Sequence, residues 1–165
     1  GADYLNANRH SLSWHRDWQS FETNHRQFIG SWIDQHAPQD AVVAMEAIGY
    51  QGTYCRRRVV DLAGLVSPRV VDLRRESQSS AQTFSKVLSE LKPEYIILRH
   101  YEIAENRHFH GGPLFESELE AHEFQAAYKE VPLPHREAPE QHRDIVPVLY
   151  VRAGLAPLAP SATGN

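Results

Sequence analysis

The sequence predicts an α/β fold, a three-layer sandwich with a mostly parallel central sheet, on three grounds. Four short apolar runs of strand length, at 41–45, 58–62, 95–99 and 146–151, are separated by stretches of helical periodicity. The first run reads apolar on both faces, the pattern of a strand covered by a layer on each side. The order strand, helix, strand then calls for crossover connections and parallel pairing.

Taken in chain order, Trp14, Trp18, Phe21, His25, Phe28, Ile29, Trp32 and Ile33 recur at spacings of three and four, which predicts an amphipathic helix over 13–36. Its aromatic density suits either a membrane interface or the face of a sheet, and the mixed charges opposite favour packing on the sheet. Ala37-Pro38-Gln39-Asp40 ends that helix. After the valine-rich strand 41–45, Gly49 and Gly52 loosen the backbone where Tyr50 and Tyr54 must turn, so a glycine-punctuated turn is expected before the next strand. Asp61 falls near the carboxyl end of strand 58–62, where open α/β sheets place ligand-facing groups, although a strand-end cap or an ion pair with Arg57 or Arg58 is the preferred reading over an acid/base role. The segment 69–75 reads as a short strand or a helical turn. Ser80 is expected to cap a helix through Leu91 that Lys92-Pro93 stops. A strand at 95–99 precedes a histidine-rich polar loop, an acid-rich stretch over 115–128, and a late β pair at 128–133 and 144–152. One domain over 1–153 is expected, with a disordered tail at 154–165 rich in Ala, Pro and Ser.

The block from Ile48-Gly49-Tyr50 through Arg58-Val59-Val60-Asp61-Leu62-Ala63-Gly64-Leu65-Val66-Ser67-Pro68 resembles the extracytoplasmic C-terminal domain that follows the membrane helices in some bacterial GT-C superfamily glycosyltransferases, enzymes dependent on polyprenyl-phosphate sugars. The likeness extends more loosely to Phe28-Ile29-Gly30-Ser31-Trp32-Ile33, to Leu91-Lys92-Pro93-Glu94-Tyr95-Ile96-Ile97-Leu98 and to the closing strand at 146–151. The resemblance implies a non-catalytic accessory domain on the extracytoplasmic face of the cell membrane. Its partner would be the membrane domain of the same polypeptide, where that superfamily keeps its catalytic carboxylate. It would assist binding of an acceptor glycan or a polyprenyl-phosphate sugar and need no cofactor. Tyr50 and Tyr54 suit sugar faces, Arg56, Arg57 and Arg58 suit a phosphate, and with Asp61 they form the expected ligand surface. A second reading from the residues alone is a free-standing α/β hydrolase centred on Asp61 and a histidine of the loop 100–110.

Other classes find little support. Lys and Arg number 17 against 21 Asp and Glu, a net charge of −4 that argues against a nucleic-acid partner. The lone Cys55 reads as a filler beside a turn. No nucleophile elbow, phosphate loop or His-Glu-x-x-His helix occurs, and Gly49-Tyr50-Gln51-Gly52 lacks the third glycine of a dinucleotide fingerprint. His108 and His110 are weak candidates for a metal, and a solvated loop is the better expectation there.

Overall fold

The strand-forming runs assemble into one open sheet in the computed structural model, which describes residues 15–133, 138 and 140–155. Residues 13 and 14, including the expected start of the first helix, and most of the expected tail, from 156 on, lie outside the described residues. Helix α1 runs over 15–36, with wide π turns at Glu22–Gln27 and regular α geometry at Phe28–His36. Next come β1 (Val42–Met45), a short helix α2 over 48–55, β2 (Arg58–Asp61), α3 (Pro68–Arg75) and α4 over 80–91. After these follow β3 (Tyr95–Arg99), α5 (His100–Ala104), α6 (Glu118–Ala127), β4 (Tyr128–Glu130), a 3-10 turn at Glu140–Ile145 and β5 (Pro147–Arg152).

The strand order is β2-β1-β3-β5-β4. Pairings β1–β2 and β1–β3 are parallel, but β3–β5 and β4–β5 are antiparallel, so the sheet is mixed and the expectation of a mostly parallel one is corrected. The reason is where the chain re-enters. Arg99 lies opposite Pro147, and His100 N–H donates to Val146 O at 3.0 Å, so β5 starts at the end where β3 leaves and needs no crossover.

Alternation along the strands divides the interior into two cores, one on each face. Val43, Met45, Tyr95, Ile97 and Leu149 face α1 and α2, packing on Ile29, Ile33 and Cys55. Ala44, Val60, Ile96, Leu98 and Tyr150 face the other way, onto Leu73, Phe84 and Phe124 of α3, α4 and α6. Strands sandwiched between two helical layers have to be apolar on both sides, which is why no polar alternation appears in 41–45. Cys55 is fully buried in the α1 core, and burial pushes its thiol above the ordinary value, in keeping with a packing role.

The expected glycine turn after β1 is helical instead. A parallel partner must start at the opposite end of the sheet, so the chain has to cross one face, and 48–55 does so as a π turn (Ile48–Gly52) and an α turn (Thr53–Cys55). Gly30 of α1 makes room for it. A Cβ there would stand 2.6 Å from Gln51 O, so the crossover lies directly against bare helix backbone. The α4 cap is Ser79, whose hydroxyl accepts from Gln82 N–H at 3.0 Å, one residue before the expected Ser80.

Candidate functional site

The connections from β1 and β3 diverge, β1 passing to β2 on one side and β3 to the β5 side on the other. Where two neighbouring parallel strands part in this way, a crevice opens beyond their carboxyl ends. In this chain the crevice is a cleft of about 580 Å³. Glu46, the residue after β1, and Arg99, the last of β3, meet in it as an ion pair. Glu22 and Arg26 descend from the π turns of α1 and pair at 2.6 Å. Trp18 and Tyr50 line the same cleft. Both residues lie within the π turns, and Glu22 is only 6% exposed.

Each charge is held by neighbours. The Arg26 guanidinium lies 5.5 Å from the Trp18 ring, and burial pushes its pKa below the ordinary value against the pull of Glu22. Arg99 donates to Tyr101 Oη at 2.9 Å, while its backbone N–H donates to Glu102 Oε2 at 2.8 Å. Burial raises the Glu102 carboxyl above the usual range, opposed by those contacts from Arg99. His142, 6% exposed, packs edge-on against Trp18 with ring centroids 5.4 Å apart and closes the wall behind it. The result is a cleft with aromatic faces and carboxylate–guanidinium pairs side by side, able to accept and donate to neighbouring hydroxyls at once.

The residues expected to form one ligand surface are divided. Tyr50 and Tyr54 are together, 40% and 38% exposed, with rings stacked 6.3 Å apart, and Tyr50 reaches the cleft. Arg56, Arg57 and Arg58 sit at the amino end of β2, the far end of the sheet from the cleft, because β2 runs parallel to β1. Arg56, in the left-handed region at φ 43°, pairs with Asp34, whose carboxyl is held below its usual range chiefly by that hydrogen bond. Arg57 pairs with Asp34 Oδ1 at 2.8 Å and donates to Ala37 O at 3.0 Å, closing the carboxyl end of α1. Arg58 is exposed on the edge strand. Arg57→Ala is therefore expected to lower the melting temperature well below that of Arg56→Ala. Equal melting curves for the two variants would remove Arg57 from the framework.

Asp61 is fully buried and caps its own strand: Oδ1 accepts from Ala63 N–H and Oδ2 from Val66 N–H, both at 2.9 Å. No ion pair joins it to Arg57 or Arg58 among the described residues. The histidine loop is exposed over 104–107 and 110–113, as expected of a solvated loop, but His108 departs from that. His108 is 7% exposed, and its ring lies 4.2 Å from that of Phe109. The His108 and His110 rings stack at 5.7 Å, and no group of three His, Cys, Asp or Glu side chains converges as metal ligands among the described residues.

Sequence reasoning missed Trp18, Glu22, Arg26, Glu46 and Arg99 as a group. The available signal was positional: Glu46 and Arg99 end the two strands that become neighbours at the point of divergence. None of the described helices is long and apolar enough to cross a membrane. No curated protein and no solved structure matches the chain. Residues 14–148 match a family described as a domain of unknown function, DUF8728, and the chain belongs to that family.

Proposed function

We propose that this chain is a carbohydrate-recognising accessory domain of a GT-C type membrane glycosyltransferase, standing on the extracytoplasmic side and receiving the sugar portion of an acceptor or of a polyprenyl-phosphate donor. The observation that carries the reading is the cleft at the carboxyl ends of β1 and β3. Trp18 and Tyr50 offer flat faces to the C–H side of a sugar ring, and the Glu46–Arg99 and Glu22–Arg26 pairs offer paired acceptors and donors to its hydroxyls. The resembling block 49–68 contributes Gly49 and Tyr50 to the cleft wall, which ties the resemblance to the same place. Chemistry would belong to the membrane domain of the same polypeptide. The hydrolase reading gains nothing from Asp61, whose two carboxylate oxygens are occupied by the turn that follows it.

The test is a titration of the isotope-labelled chain with soluble mono- and oligosaccharides, followed by amide chemical shifts. Shifts should gather at Trp18, Gly49, Tyr50 and Arg99. Tyr50→Ala should weaken binding about tenfold, equivalent to roughly 1.4 kcal/mol, with an unchanged melting temperature because the ring is already half exposed. No shifts at the cleft with any saccharide would defeat the reading. So would sugar transfer from a polyprenyl-phosphate donor by this chain alone.

A further inference from the structure

A second cavity, of about 390 Å³, opens on the opposite side of β1 from α1, between the turn after β2, the end of α3, the start of α4 and the histidine loop. Arg74, Gln78, Ser80, Thr83, His108 and His110 line it. Arg74 makes its contacts through Nη2 alone, to Leu62 O at 3.1 Å, Ala63 O at 3.0 Å and His110 Nε2 at 3.1 Å. Its Nε and Nη1 donors have no partner among the described residues, and no carboxylate pairs with it there. An arginine only donates, so His110 Nε2 must accept, which leaves that ring neutral and fixed in orientation.

His108 supplies the second half of the arrangement. Its Nδ1 accepts from His110 N–H at 3.1 Å, which puts the ring proton on Nε2. That Nε2–H has no partner among the described residues although the side chain is 7% exposed and lines the cavity. The atom itself is open to the cavity rather than sealed in, so a donor held in one tautomer faces space that a ligand acceptor can enter.

We propose that this cavity binds a phosphate group, gripped by Arg74 through Nε and Nη1 and by His108 through Nε2–H. Guanidinium donors in a planar fork match the oxygens of a phosphate, and the imidazole donor supplies a third direction. The cavity exceeds what one phosphate fills, so the group is expected to enter as a phosphomonoester carrying an organic portion. Neighbouring charge permits this. Arg99 and Arg74 add positive potential at His108, the Asp61 carboxylate near His110 is engaged by two backbone amides, and Glu116 is engaged by Ser79 Oγ at the rim. The site stands apart from the sugar cleft, and its residues differ from those of the cleft, so either can fail alone.

Calorimetric titration of the full chain with inorganic phosphate and with glycerol 1-phosphate, against chloride at matched ionic strength, decides the matter. Binding of both phosphates, tighter for the ester, is expected, with at least a tenfold loss in Arg74→Gln and in His108→Asn. His108→Asn keeps an acceptor for His110 N–H, so it tests the lost Nε2 donor without removing the loop's own hydrogen bond. Tighter binding of inorganic phosphate than of the ester would assign the cavity to the free ion and overturn the phosphomonoester. Absence of phosphate binding by the unaltered chain, binding no stronger than chloride, or full retention in both variants would overturn the proposal as a whole.

Discussion

Replacing Asp61 by alanine is expected to destabilise the fold by about 3 kcal/mol, the sum expected for two buried amides that lose their acceptor. The carboxylate is wholly inaccessible and takes the N–H groups of Ala63 and Val66, one on each oxygen, at 2.9 Å. Its own N–H donates to Ser67 Oγ at 2.8 Å, and its carbonyl accepts from Gly64 N–H at 2.9 Å. One residue thus dictates the turn that leads from β2 into α3, and the left-handed Gly64, at φ 78°, lets the chain bend around it. Asp61→Asn should be nearly as damaging, because its NH₂ would face one of two N–H donors. Equilibrium unfolding in urea measures both. A change below about 0.5 kcal/mol in Asp61→Ala would mean that water replaces the carboxylate freely. The same turn presents the Leu62 and Ala63 carbonyls that hold Arg74, so phosphate binding should weaken together with stability in these variants.

The apolar runs made the sheet legible because burial on both faces leaves a signal in every residue of a strand. Val42 to Met45 and Tyr95 to Leu98 alternate between two cores, and neither can tolerate a polar side chain. Direction was not legible. Whether β5 runs with or against β3 depends on which end the chain returns to, and the contact that decides it, His100 N–H to Val146 O, joins residues 46 apart in a segment without periodicity. The block 49–58 misled for a related reason. Two glycines near tyrosines suggest a tight turn, yet here Gly52 lies inside a helical crossover, and the glycine that matters for its position is Gly30 on the facing helix. The three arginines show how far a local reading reaches. Adjacent charge looked like one phosphate-facing surface, but Arg57 is turned inward to the end of α1, a destination set by Asp34, 23 residues earlier. The cleft residues come from three separate segments, and only the topology gathers them.

Acidification should expose the state of His108 directly. Burial first, then the electrostatic influence of the neighbouring His110, Arg74 and Arg99, lowers its pKa from 6.5 to about 4. In the unfolded chain the imidazole returns to an ordinary value near 6.5, so below that pH the unfolded state binds a proton that the folded state refuses. The sign follows: the contribution is complete above about pH 6.5 and is lost progressively as pH falls toward about 4, amounting to about 3 kcal/mol over the window. Glu102 acts in the opposite direction, since its raised carboxyl pKa favours the folded state as it protonates, and exposed carboxylates add their own slopes. Subtracting the curve of His108→Asn from that of the unaltered chain removes these common terms. The difference should be flat above pH 7 and fall with close to unit proton uptake between pH 6 and 4.5, in acetate and cacodylate buffers free of phosphate. A difference that stays flat across this range would place His108 in contact with solvent and remove the buried, neutral imidazole on which the phosphate cavity depends. If the window is found, adding phosphate should raise its lower edge and leave the upper edge in place, because an anion seated against Nε2–H raises the folded pKa alone.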